Sequence, residues 1–159
     1  MDDLLANNDR YSSGFRGGDL SSSPARKLVV LSCMDARIDV HQILGLDVGD
    51  AHVIRNAGGS LTEDTTRSLV LSNLMGTETA VVIQHTDCRM RASTEEEFAA
   101  LVTSKTGMAP PFELGALGEL EQTVHDAITE IRESRLLPFS DVRGYVYDVR
   151  SGLLREITA

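Results

Sequence analysis

The chain has 159 residues, 42% of them hydrophobic and 25% charged, with a formal net charge of −9. That length fits one domain, which buries roughly two-thirds of its unfolded surface and needs no covalent staples. The acidic balance argues against nucleic acid and anionic membranes as partners, since both demand clustered positive charge. No apolar run approaches the roughly 20 residues that span a bilayer.

Residues 1–26 are rich in Gly, Ser, Asn and Asp without periodicity. They read as an N-terminal arm ahead of a domain over 27–159. Tyr11 and Phe15 are either its anchor points or part of a frayed end. The acidic, polar start lacks the basic and apolar stretches of a signal peptide, so the cytoplasm is the expected compartment. From Lys27 onward, strand and helix signals alternate. Leu28–Leu31 is a continuous apolar run, as in a strand buried on both faces. Ile38, Ile43 and Leu44 suggest a short helix stopped by Gly45, and Ala51–Ile54 a second strand before the turn Asn56-Ala57-Gly58-Gly59. Thr62 is placed to cap a helix bearing Leu69, Leu71, Leu74 and Met75, with Gly76 as its stop.

Thr79–Ile83 is the third and clearest buried strand. Thr94 to Glu97 forms a capping box, after which Phe98, Leu101 and Val102 mark one helical face. Leu117, Leu120, Val124, Ala127, Ile128 and Ile131 form a long amphipathic stripe, closed by Pro138. Tyr145–Val149 and Leu153–Ile157 flank Arg150-Ser151-Gly152, a hairpin signal. The pattern predicts an α/β fold: a mostly parallel sheet with helices on both faces, order 2-1-3-4, and an antiparallel edge strand.

Both cysteines sit just past strand ends. Cys33 follows the first strand; His85 and Cys88 follow the third. In doubly wound sheets ligands bind at the carboxyl ends of strands. With the order 2-1-3-4, strands one and three are neighbours and Cys33 falls beside His85 and Cys88. Two thiolates and an imidazole make three ligands suited to tetrahedral zinc. The plain alternative is two buried free thiols and a histidine satisfied by a backbone carbonyl. Asp35 and Arg37 weigh against that alternative. Two and four residues after Cys33, Asp35 can serve as a fourth ligand or point away, and Arg37 can hold it away through a bidentate pair.

These residues resemble the β-class carbonic anhydrases, whose pattern is C-x-D-x-R after the first strand and H-x-x-C after the third. Cys33, Asp35, Arg37, His85 and Cys88 match it, and Arg55-Asn56-Ala57-Gly58-Gly59 resembles the family's R-N-A-G turn. The likeness runs from about Leu28 to Val149 and is closest to the short mycobacterial-type members. The resemblance implies reversible hydration of carbon dioxide to bicarbonate and a proton, with one Zn2+ per chain held by Cys33, His85 and Cys88. It assigns catalytic roles to Asp35 and Arg37, with Asp35 as fourth ligand in a closed state. It places Ala57, Gly58 and Gly59 along the substrate pocket and implies a homodimer or homotetramer.

Two departures stand out. The residue after the second cysteine, usually glycine in the family, is Arg89, and the long helical arm of larger members is missing. Hydrolysis of carbonyl sulfide or carbon disulfide on the same fold is one competing reading, and a non-enzymatic zinc-binding regulatory domain is another. A thiol-phosphatase loop is excluded because it needs C-x5-R, whereas Cys33 and Arg37 are spaced C-x3-R. His41, His52 and His125 are further ionisable groups, and nothing in the sequence selects one as a proton carrier.

Overall fold

The computed structural model describes residues 2–158. Helix α1 (Asp2–Gly14) precedes strand β1 (Leu28–Cys33), the short helix α2 (Val40–Leu44) and strand β2 (Ala51–Asn56). A 3-10 turn at Ala57–Gly59 leads to α3 (Glu63–Leu74) and β3 (Thr79–His85). A second 3-10 turn (Arg89–Arg91), α4 (Glu95–Thr106), α5 (Leu120–Glu133), β4 (Asp141–Tyr147) and β5 (Leu154–Ile157) complete the chain.

The five strands form one sheet of order β2-β1-β3-β4-β5. β1 lies parallel to both β2 and β3, β3 parallel to β4, and β5 returns antiparallel along β4. This is the expected topology. Its consequence is positional: parallel strands β1 and β3 deliver Cys33 and His85, each the last residue of its strand, to the same end of the sheet.

Each face of the sheet carries its own core. On one, Val29, Val82 and Val142 pack under Leu69 of α3 and Ile128 and Ile131 of α5. Gly144 of β4 lets α5 approach closely, since a Cβ there would meet Val124 Cγ1 at 2.6 Å. On the other face, Val30, Val81 and Ile83 pack with Ile38, Val40, Cys33 and Cys88. The thiols are therefore the end of a hydrophobic layer.

Helix ends follow the chain's polar punctuation. Asp39 caps α2 and Gly45 closes it at φ 61°. Thr62 caps α3 with Thr65 completing the box, and Thr94 does the same for α4 with Glu97.

Two readings differ from the structure, those of the arm and of α5, and two helices, α3 and α4, lie where expected but bury less than their patterns suggest. The N-terminal arm contains a helix, α1, although its sequence has no apolar stripe, because no packing surface selects one. Local contacts accompany it instead: Ser12 and Ser13 bond back to Asp9 and Arg10, and the Tyr11 and Phe15 rings lie 5.6 Å apart. Of the four apolar residues named for α3, only Leu69 reaches the core; Leu71, Leu74 and Met75, the last just past the helix end, are exposed. α4 buries no residue, so the Phe98–Val102 face packs on nothing within the chain deeply enough to leave solvent. α5 begins at Leu120 and ends at Glu133, short of both Leu117 and Pro138.

Candidate metal centre

The turn after β1 and the turn after β3 converge. Cys33 Sγ and Cys88 Sγ are 4.0 Å apart, both buried and not disulfide-bonded. His85 is wholly buried, and the ligand atoms of Cys33, His85 and Cys88 all lie within 4.8 Å of one another. A tetrahedral zinc with Zn–S bonds of about 2.3 Å separates two sulfurs by about 3.8 Å, so the observed spacing needs almost no adjustment.

The imidazole is set up for ligation. Its Nδ1 lies 2.9 Å from the Thr86 carbonyl, which can only accept, so Nδ1 carries the proton. Nε2 is then left with a lone pair, buried and without a hydrogen-bond partner. An orphan buried nitrogen is costly unless something occupies it, and a cation beside two sulfurs is the chemistry that fits. The thiols are tuned in opposite directions. Burial raises Cys33, but hydrogen bonding at its sulfur, including the backbone N–H groups of Asp35 and Gly58, outweighs it and brings it to about 7. Burial pushes Cys88 up, and the neighbouring Cys33 adds to that.

Asp35 stands beside this triangle without belonging to it. Arg37 donates from Nε to Asp35 Oδ1 at 2.9 Å and from Nη2 to Oδ2 at 2.8 Å, a bidentate grip. The Arg37 amide donates to Oδ1 as well. This hydrogen bonding holds Asp35 far below the usual carboxylate range. Its Oδ2 is 3.9 Å from His85 Nε2, so the carboxylate borders the metal position while both oxygens are occupied by Arg37.

A cavity of about 530 Å³ opens over these groups. Met34, Ala36, Ala57, Gly58 and Met90 give it a largely apolar wall, with Arg89 also on its lining. Gly59 is placed differently from Ala57 and Gly58: it lies under the strand ends, against the backbones of Cys33 and Ile83.

Three supporting residues carry no role in the sequence reading. Arg55 donates to the carbonyls of Cys33 and Asp35, bracing the loop that bears both. Asp87, between the two ligands of the second half-motif, contacts Arg37. Arg91 is half-buried and bonds Gln84, Thr123 and the Gly118 carbonyl. The first two lie inside or beside the motifs, a signal of proximity; Arg91 could not be told from a surface arginine. Among the other histidines, His52 of β2 bonds Ser72 of α3 and the Ser22 carbonyl, and His125 lies on α5 beside Asp126.

Comparison with known proteins agrees with this geometry. The family model for carbonic anhydrase matches residues 28–135. β-Carbonic anhydrase 1 of Mycobacterium tuberculosis is 39% identical, over 99% of this chain and 97% of that protein. A carbon disulfide hydrolase of an Acidianus species is 34% identical over 82% of this chain and 77% of its own length. The crystal structure of carbonic anhydrase from Streptococcus mutans superposes with a TM-score of 0.93 at 33% identity, covering 99% of this chain and 96% of that one. With sheet order, ligand triangle and sequence in agreement over nearly the whole chain, it belongs to the β-class carbonic anhydrases, a family of zinc enzymes.

Proposed function

We propose that this chain catalyses the reversible hydration of carbon dioxide to bicarbonate and a proton, using Cys33, His85 and Cys88 as zinc ligands and Asp35 and Arg37 as its catalytic pair. The observation that carries the reading is the arrangement of Asp35: next to the ligand triangle, ionised, and turned onto Arg37. Zinc bound there supplies a Lewis acid that makes a water nucleophilic near neutral pH.

The chain's own residues do the rest. Thr86 fixes the His85 tautomer so that Nε2 faces the metal position. Asp35, accepting only, takes a hydrogen bond from the attacking water and turns its lone pair towards the substrate carbon. Arg37 keeps that carboxylate ionised and off the metal. The apolar wall of Met34, Ala57 and Met90 suits an uncharged linear gas, and the missing side chain at Gly58 permits close approach. Arg89, on the same lining, brings positive charge to the pocket in which the bicarbonate anion would form.

Hydrolysis of carbon disulfide is the second reading, favoured by the likeness to the Acidianus hydrolase. It uses the same linear electrophilic carbon. Fuller coverage and higher identity with the mycobacterial carbonic anhydrase favour carbon dioxide. A purely regulatory zinc domain, with Asp35 permanently on the metal, is disfavoured by the grip of Arg37 on both Asp35 oxygens.

We further infer a cytoplasmic homodimer or dimer of dimers, in which residues 1–26 act as an arm from the domain over 27–159. Two cysteines without a disulfide suit a reducing compartment. Leu4, Leu5 and Tyr11 on α1 and Leu101 on α4 are exposed apolar groups that a second copy would cover. No helix among the described residues is long and apolar enough to cross a membrane.

Stopped-flow hydration by the zinc-loaded protein, from about pH 7 to about 9, tests the reaction. Chelator-sensitive hydration is expected. Zinc bound stoichiometrically with no hydration, but with turnover of carbon disulfide, would replace this reading by the second.

A further inference from the structure

The outer edge of Arg37 is held as firmly as the edge that grips Asp35. Nη1 donates to Asp87 Oδ2 at 2.8 Å, and Nη2 donates to the Asp87 carbonyl at 3.0 Å. Four of the five guanidinium N–H bonds are thereby used, two on Asp35 and two on Asp87. Asp87 lies between His85 and Cys88 and adopts φ 55°, a left-handed conformation that aspartate tolerates better than most residues. One tight turn therefore presents two metal ligands and the clamp on Arg37.

We propose that Asp87 is a positioning residue that fixes Arg37 and so keeps Asp35 turned away from the metal. The inference rests on the functional reading given above. Two effects of the Asp87 carboxylate oppose each other. As a second anion it competes for the charge of Arg37; as an anchor it stops the guanidinium from swinging into solvent. The anchor prevails, because the bond to Asp87 Oδ2 uses Nη1, which takes no part in gripping Asp35. Solvent also damps the competition: the side chains of Arg37 and Asp87 are 45% and 69% exposed. Without the carboxylate, Arg37 keeps one carbonyl contact on its outer edge. Its hold on Asp35 loosens, and Asp35, already 3.9 Å from His85 Nε2, can turn onto the metal.

Asp87→Gly removes the carboxylate and keeps the left-handed backbone, and Asp87→Asn restores an acceptor of the same shape. Cobalt-substituted protein, titrated with thiocyanate and followed by its visible spectrum, reports how freely the exchangeable metal position is reached. Asp87→Gly should retain its metal and bind thiocyanate about threefold to tenfold more weakly, the weight of one partly exposed charge-assisted hydrogen bond, with a matching fall in kcat. Asp87→Asn should recover most of both. In an Arg37→Ala background, Asp87→Gly should add nothing.

Unchanged thiocyanate affinity in Asp87→Gly, loss of its metal, or an equal further loss in the Arg37→Ala background would overturn the proposal. A cobalt protein that binds thiocyanate while no form hydrates carbon dioxide would sink the functional reading alone. The thiocyanate series would still decide the role of Asp87.

Discussion

Gly59 lies directly against the backbone of Cys33. A Cβ at Gly59 would stand 2.9 Å from the Cys33 amide nitrogen, 3.0 Å from the Ser32 carbonyl carbon and 3.1 Å from the Ile83 carbonyl oxygen. Its φ of 65° is itself unfavourable for a side chain. None of the three neighbours is a flexible side-chain tip; all are main chain of the strands that end in Cys33 and His85. Gly59→Ala therefore forces the metal-bearing strand ends apart. It should cost about 2–4 kcal/mol of stability and weaken zinc binding. Denaturant unfolding and metal content measured on the same preparation check this. Wild-type values for both would show that the turn moves instead.

Zinc uptake should report the opposite tuning of the two thiols. Binding requires both as thiolates, and their protons are released. Cys33, near 7, has already lost its proton above neutrality, whereas Cys88, pushed up by burial, still carries one. The protons these two thiols release per zinc should thus rise from about one towards two as pH falls through about 7, and affinity should fall with pH over the same interval. Calorimetric titration in buffers of different ionisation enthalpy measures the count. Cys33→Ser and His85→Ala should each lose more than about a hundredfold in zinc affinity, and activity with it.

The sequence exposes this site well because its chemistry is local. Cys33, Asp35 and Arg37 fall within five residues, His85 and Cys88 within four, and the apolar runs of β1 and β3 set the strands that bring the two groups together. Sheet order was legible for the same reason: long buried strands alternate with capped helices. What stayed hidden depends on contacts between distant segments. Neither the grip of Asp87 on Arg37 nor the bracing of Asp35 by Arg55 has a periodicity to betray it. The apolar residues of α3 and α4 overstate the core for a related reason: Leu71, Leu74 and Leu101 satisfy a helical pattern yet stay largely exposed.

Arg37→Ala should retain zinc, since Arg37 is not a ligand, but lose at least about tenfold in turnover by freeing Asp35. The same pair predicts acid behaviour. The side-chain bonds from Arg37 hold Asp35 far below its ordinary value of 3.8. A carboxylate with a depressed folded-state pKa contributes stability that is full above the unfolded value and fades as pH drops below it. The wild type should therefore lose stability from this pair as pH falls below 3.8, by an amount that solvent screening of the half-exposed Arg37 keeps small. Asp35→Asn should flatten that limb of the pH–stability curve. An identical acid limb in the variant would show that other carboxylates govern it.

Arg91 poses a different energetic problem, because it is a half-buried cation with neutral acceptors. It donates to Gln84 Oε1, to Thr123 Oγ1 at 2.6 Å and to the Gly118 carbonyl, while its Nε has no partner. Burial lowers its pKa, the sign expected when charge is carried at a cost. Removing the charge and removing its acceptor should then have unequal effects. Arg91→Met deletes the costly group and keeps its apolar stem; Gln84 Oε1 still accepts from Thr123 at 2.7 Å. Stability should change by less than about 1 kcal/mol. Gln84→Leu instead removes one of the three acceptors of the guanidinium and sets an apolar side chain beside it, in a position that is 2% exposed, and should cost about 1–3 kcal/mol. Adding Arg91→Met to Gln84→Leu should recover part of that loss, because the half-buried charge that has lost an acceptor is then gone. Chemical denaturation of the two single variants and the double variant closes the cycle. Strict additivity would show that the two side chains act independently.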